Sequence, residues 1–127
     1  MGAYSIPMAR ASAPRPPGYQ VVLNCTGCPP AALGAAGVAR LVVRLLQLSD
    51  RAALGKLATH SSARDGAINA VQFLADNGTI GVKTRPAEGT AFVDVHTGGE
   101  VRVQELQDAV KAALSARAVR VQLLIRC

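Results

Sequence analysis

The amino-acid sequence predicts an α+β fold of two layers, in which an antiparallel-rich sheet carries two helices on one face. Six segments have the composition or the alternation of strands and two have helical spacing, in the order β-α-β-β-β-β-α-β. Two helices can cover only one face of such a sheet. The chain has 127 residues, of which 50% are apolar, and this suits one domain with a core of Ala, Val and Leu.

The predicted domain spans residues 19–127. Residues 1–18 contain four prolines among small residues: Pro7, Pro14, Pro16 and Pro17. Such a composition is typical of a flexible or extended arm. Two interpretations of the arm stay open, a disordered tail or a segment that crosses to another subunit.

The first strand and the first helix follow the arm. Residues 19–25 alternate, so that one face of the strand carries Val21, Leu23 and Cys25. The helix is predicted to begin at about Ala31 or Val38 and to end at Leu48. Its apolar residues recur at helical spacing: Val38, Leu41, Val42 and Leu45. Gly34 and Gly37 are expected to weaken its first turns.

The rest of the chain is predicted to be mostly strands. Residues 53–60 and 67–74 form two of them, and the second alternates little, as strands covered on both faces do. A hairpin follows, with strands at 79–83 and 91–96 joined by Arg85 to Gly89. A second helix spans about Val103 to Ala116. Residues 118–126 form the last strand, with four inward-facing side chains: Val119, Val121, Leu123 and Ile125.

The hairpin separates an apolar face from a polar one. Strand alternation places five side chains toward the core: Ile80, Val82, Ala91, Val93 and Val95. Among those on the opposite face are four polar residues: Thr79, Lys83, Asp94 and His96. The same alternation puts Phe92 on the polar face.

Asp94, His96 and Lys83 are the predicted catalytic residues. Asp94 and His96 lie two apart on one strand, so the carboxylate can orient the imidazole and raise its pKa, as in acid–base pairs. Lys83 can bind an anionic group, or act as an amine nucleophile when it is desolvated. The alternative interpretation is a solvated or interface-facing sheet surface with an ordinary salt bridge.

A run of residues through the hairpin also carries a resemblance. After Ala75-Asp76, the matching residues are Ile80, Val82, Thr84, Pro86, Gly89, Ala91, Val93-Asp94-Val95, Thr97 and Gly99. Val22 to Cys28 and His60-Ser61-Ser62 with Gly66 add two further matches. The chain resembles the bacterial S-adenosylmethionine decarboxylases, which are small pyruvoyl-dependent enzymes. The resemblance implies their fold, a dimer whose active sites use both protomers, and ligand-binding roles for Glu88, Thr97 and His60. Thr79 is a further ligand-binding candidate because of its place on the polar face, and for His60 a solvated turn histidine is the favoured alternative.

The chain departs from that family at its self-processing residues. The family cuts its own chain at a Glu-Ser bond and converts the serine into the pyruvoyl group, but residues 76–79 contain no serine. The processing histidine of the family falls on Lys83, its acid cysteine on Gly98 and its substrate-binding glutamate on Ala87, next to Glu88. The resemblance therefore implies the fold without the usual reaction, and we expect no pyruvoyl group.

Three functions stay open. The first is a repurposed protein that binds S-adenosylmethionine, a nucleoside or an amino-acid-like metabolite; if it is an enzyme, its chemistry is acid–base. The second is a non-catalytic partner subunit of an active decarboxylase in polyamine synthesis. The third is a genuine decarboxylase with unusual processing at Thr79, whose hydroxyl follows the unhindered Gly78.

Composition argues against several other classes of partner. The net charge is +6, but the arginines are scattered and no aromatic residues stand among them, which argues against nucleic acid. No apolar run reaches about 18 residues, so no transmembrane helix is predicted. Cys25 and Cys28 form a lone C-x-x-C without further ligands at metal spacing. Three cysteines without a secretory signal indicate a cytoplasmic protein.

A homodimer is the expected assembly, and a hetero-oligomer with an active paralogue is the alternative. The sheet face without helices would otherwise expose Val22, Phe92 and Leu124. Apolar patches of this kind normally mark an interface.

Overall fold

The structure, a computed structural model, describes residues 18–98 and 101–126. Its helices and strands are β1 (Gly18–Thr26), α1 (Ala35–Ser49), β2 (Ala53–Ser61), β3 (Ile68–Leu74), β4 (Gly78–Arg85), β5 (Thr90–Thr97), α2 (Val103–Leu114) and β6 (Ala118–Arg126). Short 3-10 turns precede α1, β4 and β5, at Pro30–Leu33, Ala75–Asn77 and Pro86–Glu88. The predicted α+β class and element order are confirmed. The predicted arm lies outside the described residues, except for Gly18, which begins β1.

The strands form one antiparallel sheet in the order β2-β3-β4-β5-β1-β6. The predicted hairpin is β4 and β5, and its register pairs Thr79 with His96 and Lys83 with Phe92. The first strand of the chain inserts between β5 and β6, so residues distant in sequence become neighbours. β2 and β6 are left as the two edge strands.

Both helices pack on the same face of the sheet. The apolar positions predicted for α1 are all buried, as are three residues of α2: Leu106, Val110 and Leu114. They share one core with the inward side chains of the central strands, among them Val21, Leu23, Val82 and Val93. We call the opposite sheet surface the open face. None of the helices within the described ranges is long and apolar enough to cross a membrane.

One expectation about exposure is wrong. Val22 lies on the open face but is only 7% exposed, because neighbours on both sides of its central strand shield this short side chain. Leu123 and Ile125 lie on the same side of the sheet as buried Val21, the predicted inward side, but they are 47% and 63% exposed. β6 is an edge strand whose contact with the core stops at Val121, so alternation alone overestimates its burial.

The start of α1 depends on a close backbone approach. The 3-10 turn at Pro30–Leu33 precedes the helix, and Gly34 at the junction has extended backbone angles. Gly37 is buried within the first turn of the helix, where a Cβ would lie 2.2 Å from the carbonyl oxygen of Ala32. The glycine expected to weaken this helix is thus the residue that lets the turn pack against it.

Candidate functional site

The register of the central strands arranges the polar side chains of the open face in rows. His96 of β5 pairs with Thr79 of β4 and with Gln20 of β1. In the next row, Asp94 lies between Gly81 and Val22. Because all these strands are antiparallel neighbours, residues opposite one another on the same face lie within side-chain reach. The predicted Thr79, Asp94 and His96 are therefore brought together.

The carboxylate of Asp94 has a partner that the sequence pattern does not reveal. Gln20 Nε2 donates to both carboxylate oxygens of Asp94, at 3.0 and 3.1 Å. Both residues are half-buried. Alternation places Gln20 on the face opposite Val21, but only the pairing of β1 with β5 brings it to Asp94. The signal for this contact lies in the strand order and not in any local motif.

His96 is half-buried beside this pair. No hydrogen bond joins His96 to Asp94 in the part of the chain that the structure describes, so the expected carboxylate–imidazole pair is not formed here. The carboxylate faces Gln20 instead. The imidazole lies on the open face opposite Thr79, and no hydrogen bond to it is formed among residues 18–98 and 101–126.

Lys83 lies one row away from Asp94. It is exposed and pairs in register with Phe92, which places it diagonally from Asp94 across β4 and β5. Diagonal neighbours lie about 7–8 Å apart in a sheet. No ion pair links the two within the described ranges. Lys83 thus lies near Asp94 without contacting it, and its ammonium group can contact an anion other than the Asp94 carboxylate.

Three other predicted ligand-binding residues lie outside this cluster. Thr97 follows His96 on the strand and therefore faces the helices, where it is only 7% exposed. His60 is exposed on β2 and pairs with Asn69, two strands away from Lys83. Glu88 lies in the 3-10 turn between β4 and β5, and its carboxylate is 3.6 Å from the Arg85 guanidinium.

A shallow groove runs over the open face beside Lys83. It has a volume of about 400 Å³, and its main side chains are Asn24, Thr26, Lys83, Arg85, Thr90 and Phe92, with Glu88 at the turn. The turn is held in place by the segment that follows β1, because Cys28 N donates to the Gly89 carbonyl at 2.9 Å. Gly89 adopts a positive φ of 66°, and a Cβ there would lie 3.0 Å from the Cys28 carbonyl oxygen. The groove residues of β1, Asn24 and Thr26, are not among the predicted site residues.

The segment that matches the family's cut site is a tight turn followed by a strand. Asp76 and Asn77 both have a φ of 63°, as the Asn-Gly pair predicts for Asn77. The turn is anchored by an Arg51–Asp76 ion pair and by Ala75 N, which donates to the Ala52 carbonyl at 2.9 Å. Gly78 begins β4, where a Cβ would lie 2.9 Å from the His96 carbonyl oxygen. A larger residue at position 78 would force β4 and β5 apart.

The two cysteines at the end of β1 are buried and free. Burial raises the pKa of the Cys25 thiol to about 12, and the nearby Cys28 adds to the shift. Burial also raises the pKa of Cys28. Such thiols stay protonated at neutral pH and are poor nucleophiles. Across residues 18–98 and 101–126, no three His, Cys, Asp or Glu residues are grouped as a metal site requires.

The raised thiol pKa predicts an alkaline loss of stability. The thiol of an unfolded cysteine has a pKa of about 8.5. The buried Cys25 thiol therefore contributes its full stabilisation of the fold below that pH, and this stabilisation is lost as the pH rises toward 12. We expect the free energy of unfolding to fall between about pH 8.5 and 10.5, and to fall less in Cys25→Ala. Urea unfolding followed by circular dichroism at several pH values measures both slopes. Equal slopes would contradict the assignment.

A family model described as S-adenosylmethionine decarboxylase matches residues 19–127. The crystal structure of the adenosylmethionine decarboxylase from Aquifex aeolicus is similar, with a TM-score of 0.76 and 17% sequence identity over 89% of this chain and 92% of that chain. At this identity the likeness shows the fold alone. No curated protein sequence matches the chain. Since the family model covers nearly the whole of the described domain, the chain belongs to the S-adenosylmethionine decarboxylase family.

Proposed function

We propose that this member of the family binds a small metabolite on the open face and does not use pyruvoyl chemistry. The observation that carries the proposal is the hydrogen-bonded pair of Gln20 and Asp94, which lies next to His96 and beside an open groove. Half-buried polar side chains that are fixed by their neighbours can recognise a ligand with little loss of entropy. S-adenosylmethionine, a nucleoside and an amino-acid-like compound are the candidate ligands.

The residues at the family's cut site support the second half of the proposal. Residues 76–79 offer no serine, and the only hydroxyl among them is that of Thr79. Gly78 offers no hydroxyl, and a Cβ at this position would lie 2.9 Å from the His96 carbonyl oxygen, so a residue with a side chain would require β4 and β5 to shift. Lys83 stands where the family has its processing histidine. We therefore expect no pyruvoyl group, and any chemistry would be acid–base.

In that chemistry His96 is the proton carrier. Histidine is the side chain best suited to accept and return a proton near neutral pH. Asp94 orients the ligand through its carboxylate, which Gln20 holds in place. Lys83 neutralises a negative charge on the ligand. Thr79, opposite His96, supplies a hydroxyl that can donate or accept.

A binding experiment with matched variants tests the proposal. S-adenosylmethionine, adenosine, adenosine monophosphate and methionine are titrated by calorimetry into the purified full-length protein. We expect one of them to bind, and His96→Ala and Asp94→Asn to weaken that binding at least tenfold without changing the fold. Arg40→Ala is the control, because Arg40 is exposed on α1, on the other side of the sheet. The proposal fails if none of the four binds, or if both variants bind as the wild type does.

A partner subunit is the second candidate function. The open face exposes Phe73 by 55%, Phe92 by 36% and Leu124 by 41%, which favours association with another protein. The partner would be a second copy of this chain or an active decarboxylase. Light scattering at micromolar concentration distinguishes a homodimer from a monomer that lacks its partner. Ligand binding by the homodimer would favour the metabolite-binding function over the subunit function.

A further inference from the structure

We infer that the groove beside Phe92 takes the anionic part of a ligand that also carries a planar ring. This inference rests on the proposed metabolite-binding function and narrows its ligand class. It begins with the register of the open face. Lys83, Phe92 and Asn24 form one row across β4, β5 and β1, and Arg85 pairs with Thr90 in the next row, beside Thr26 at the end of β1. These six side chains line the groove.

The charges of the groove favour an anion. Lys83 and Arg85 lie two residues apart on β4, so both side chains emerge on the open face. Arg120 of β6 extends the row of Lys83, because it pairs with Asn24. Glu88 is the one acidic residue that lines the groove, and its carboxylate is 3.6 Å from Arg85. A surface depression with such an excess of cations concentrates anionic solutes.

The nearest other carboxylate does not offset this excess. Asp94 lies in the adjoining row, where both of its oxygens accept hydrogen bonds from Gln20. It makes no ion pair with Lys83 in the described part of the chain. The ammonium group of Lys83 is exposed and can turn toward a bound phosphate or carboxylate. Lysine contacts such groups as a flexible point charge.

Phe92 supplies the apolar surface of the groove. Its ring is 36% exposed and lies in the register between Lys83 and Asn24. An exposed aromatic ring can stack on a planar ring of a ligand. The Asn24 amide and the Thr26 and Thr90 hydroxyls add donors and acceptors around it.

The positive charges of the groove together with the Phe92 ring favour a ring-bearing anion over a cation. A nucleoside monophosphate and an aromatic carboxylate have the required chemistry. S-adenosylmethionine carries a sulfonium and an ammonium group that outweigh its single carboxylate, and this net positive charge is disfavoured beside Lys83 and Arg85. Uncharged adenosine would lose the electrostatic contribution.

The test compares ligands that share one ring and differ in charge. Adenosine, adenosine monophosphate, adenosine-5'-carboxylate and S-adenosylmethionine are titrated by calorimetry into the full-length protein at 50 and 300 mM salt. We expect at least one of the two anions to bind at least tenfold more tightly than adenosine, and its advantage to shrink severalfold at high salt. The two anions distinguish phosphate from carboxylate as the preferred group.

Variants show whether the groove is responsible. In Lys83→Ala and Arg85→Ala, the advantage of the anion over adenosine should fall to about twofold or less, whereas Arg40→Ala should keep it. The inference is overturned if adenosine or S-adenosylmethionine binds as tightly as the better anion, or if both groove variants keep the wild-type ratio. In either case a ligand still binds and the proposed function stands. Failure of all four compounds to bind overturns the inference, and failure of methionine as well overturns the proposed function.

Discussion

Replacing Gly37 with alanine should lower the free energy of unfolding by about 3 kcal/mol, the upper range for overpacking a core. In an ordinary helix the same change is stabilising by about 1 kcal/mol. Here the added Cβ would lie 2.2 Å from the Ala32 carbonyl oxygen, and that backbone atom cannot rotate away. The 3-10 turn and the start of α1 would have to separate. Urea unfolding followed by circular dichroism measures the loss, since the chain has no tryptophan.

Gly34→Ala is the matched control. Gly34 lies three residues earlier and has extended backbone angles that alanine adopts readily, and a Cβ at this position would meet no atom within 4 Å. We expect Gly34→Ala to change the free energy of unfolding of the protein by less than about 1 kcal/mol. Equal effects of the two changes would show that the close approach of Gly37 to Ala32 does not hold the turn.

Thr84→Val should be the second strongly destabilising change, by about 3 kcal/mol. The Thr84 hydroxyl donates to the Leu33 carbonyl at 3.0 Å and accepts from Ile68 N at 3.1 Å, at a position only 2% exposed. Valine keeps the volume but leaves both buried backbone groups without this partner. The same hydroxyl fixes β4 from the core side, between Lys83 and Arg85 on the open face.

Thr59→Val provides the comparison, because Thr59 is exposed on the edge strand β2. Thr59→Val should change the free energy of unfolding of the protein by no more than about 0.5 kcal/mol. Thermal or urea unfolding of both variants measures the difference. A loss in Thr84→Val no larger than that in Thr59→Val would contradict the bridging role of the Thr84 hydroxyl.

Local sequence patterns predict most of the fold. Alternation in the hairpin identifies the core side of β4 and β5, and the bounds of β6 agree with the predicted 118–126. The start of α1 is less predictable, because Pro30–Leu33 forms a separate 3-10 turn and the approach of Gly37 to Ala32 is a tertiary contact. The exposure of Ile125 depends on how far the helices extend over β6. Strand alternation carries no information about that extent.

The site is predicted only in part, for a related reason. Period-two spacing places Asp94 and His96 on one face, and the same rule places Thr97 on the other, so its predicted ligand role conflicts with its own strand position. The contact between Gln20 and Asp94 joins residues 74 positions apart. It depends on the insertion of β1 beside β5, and no local pattern specifies that insertion.

Intact-mass spectrometry of the purified full-length protein tests most directly whether this chain has the family's fold without its pyruvoyl chemistry. We expect one species near 13.1 kDa, allowing for loss of Met1, in the wild type and in Thr79→Ala alike. The hydroxyl of Thr79 is the only one that could attack the Gly78 carbonyl by the family's route, and elimination from threonine would leave a 2-oxobutanoyl group. Two fragments that meet at residues 78 and 79 in the wild type, and that are absent from Thr79→Ala, would contradict the proposed absence of self-cleavage and establish self-processing.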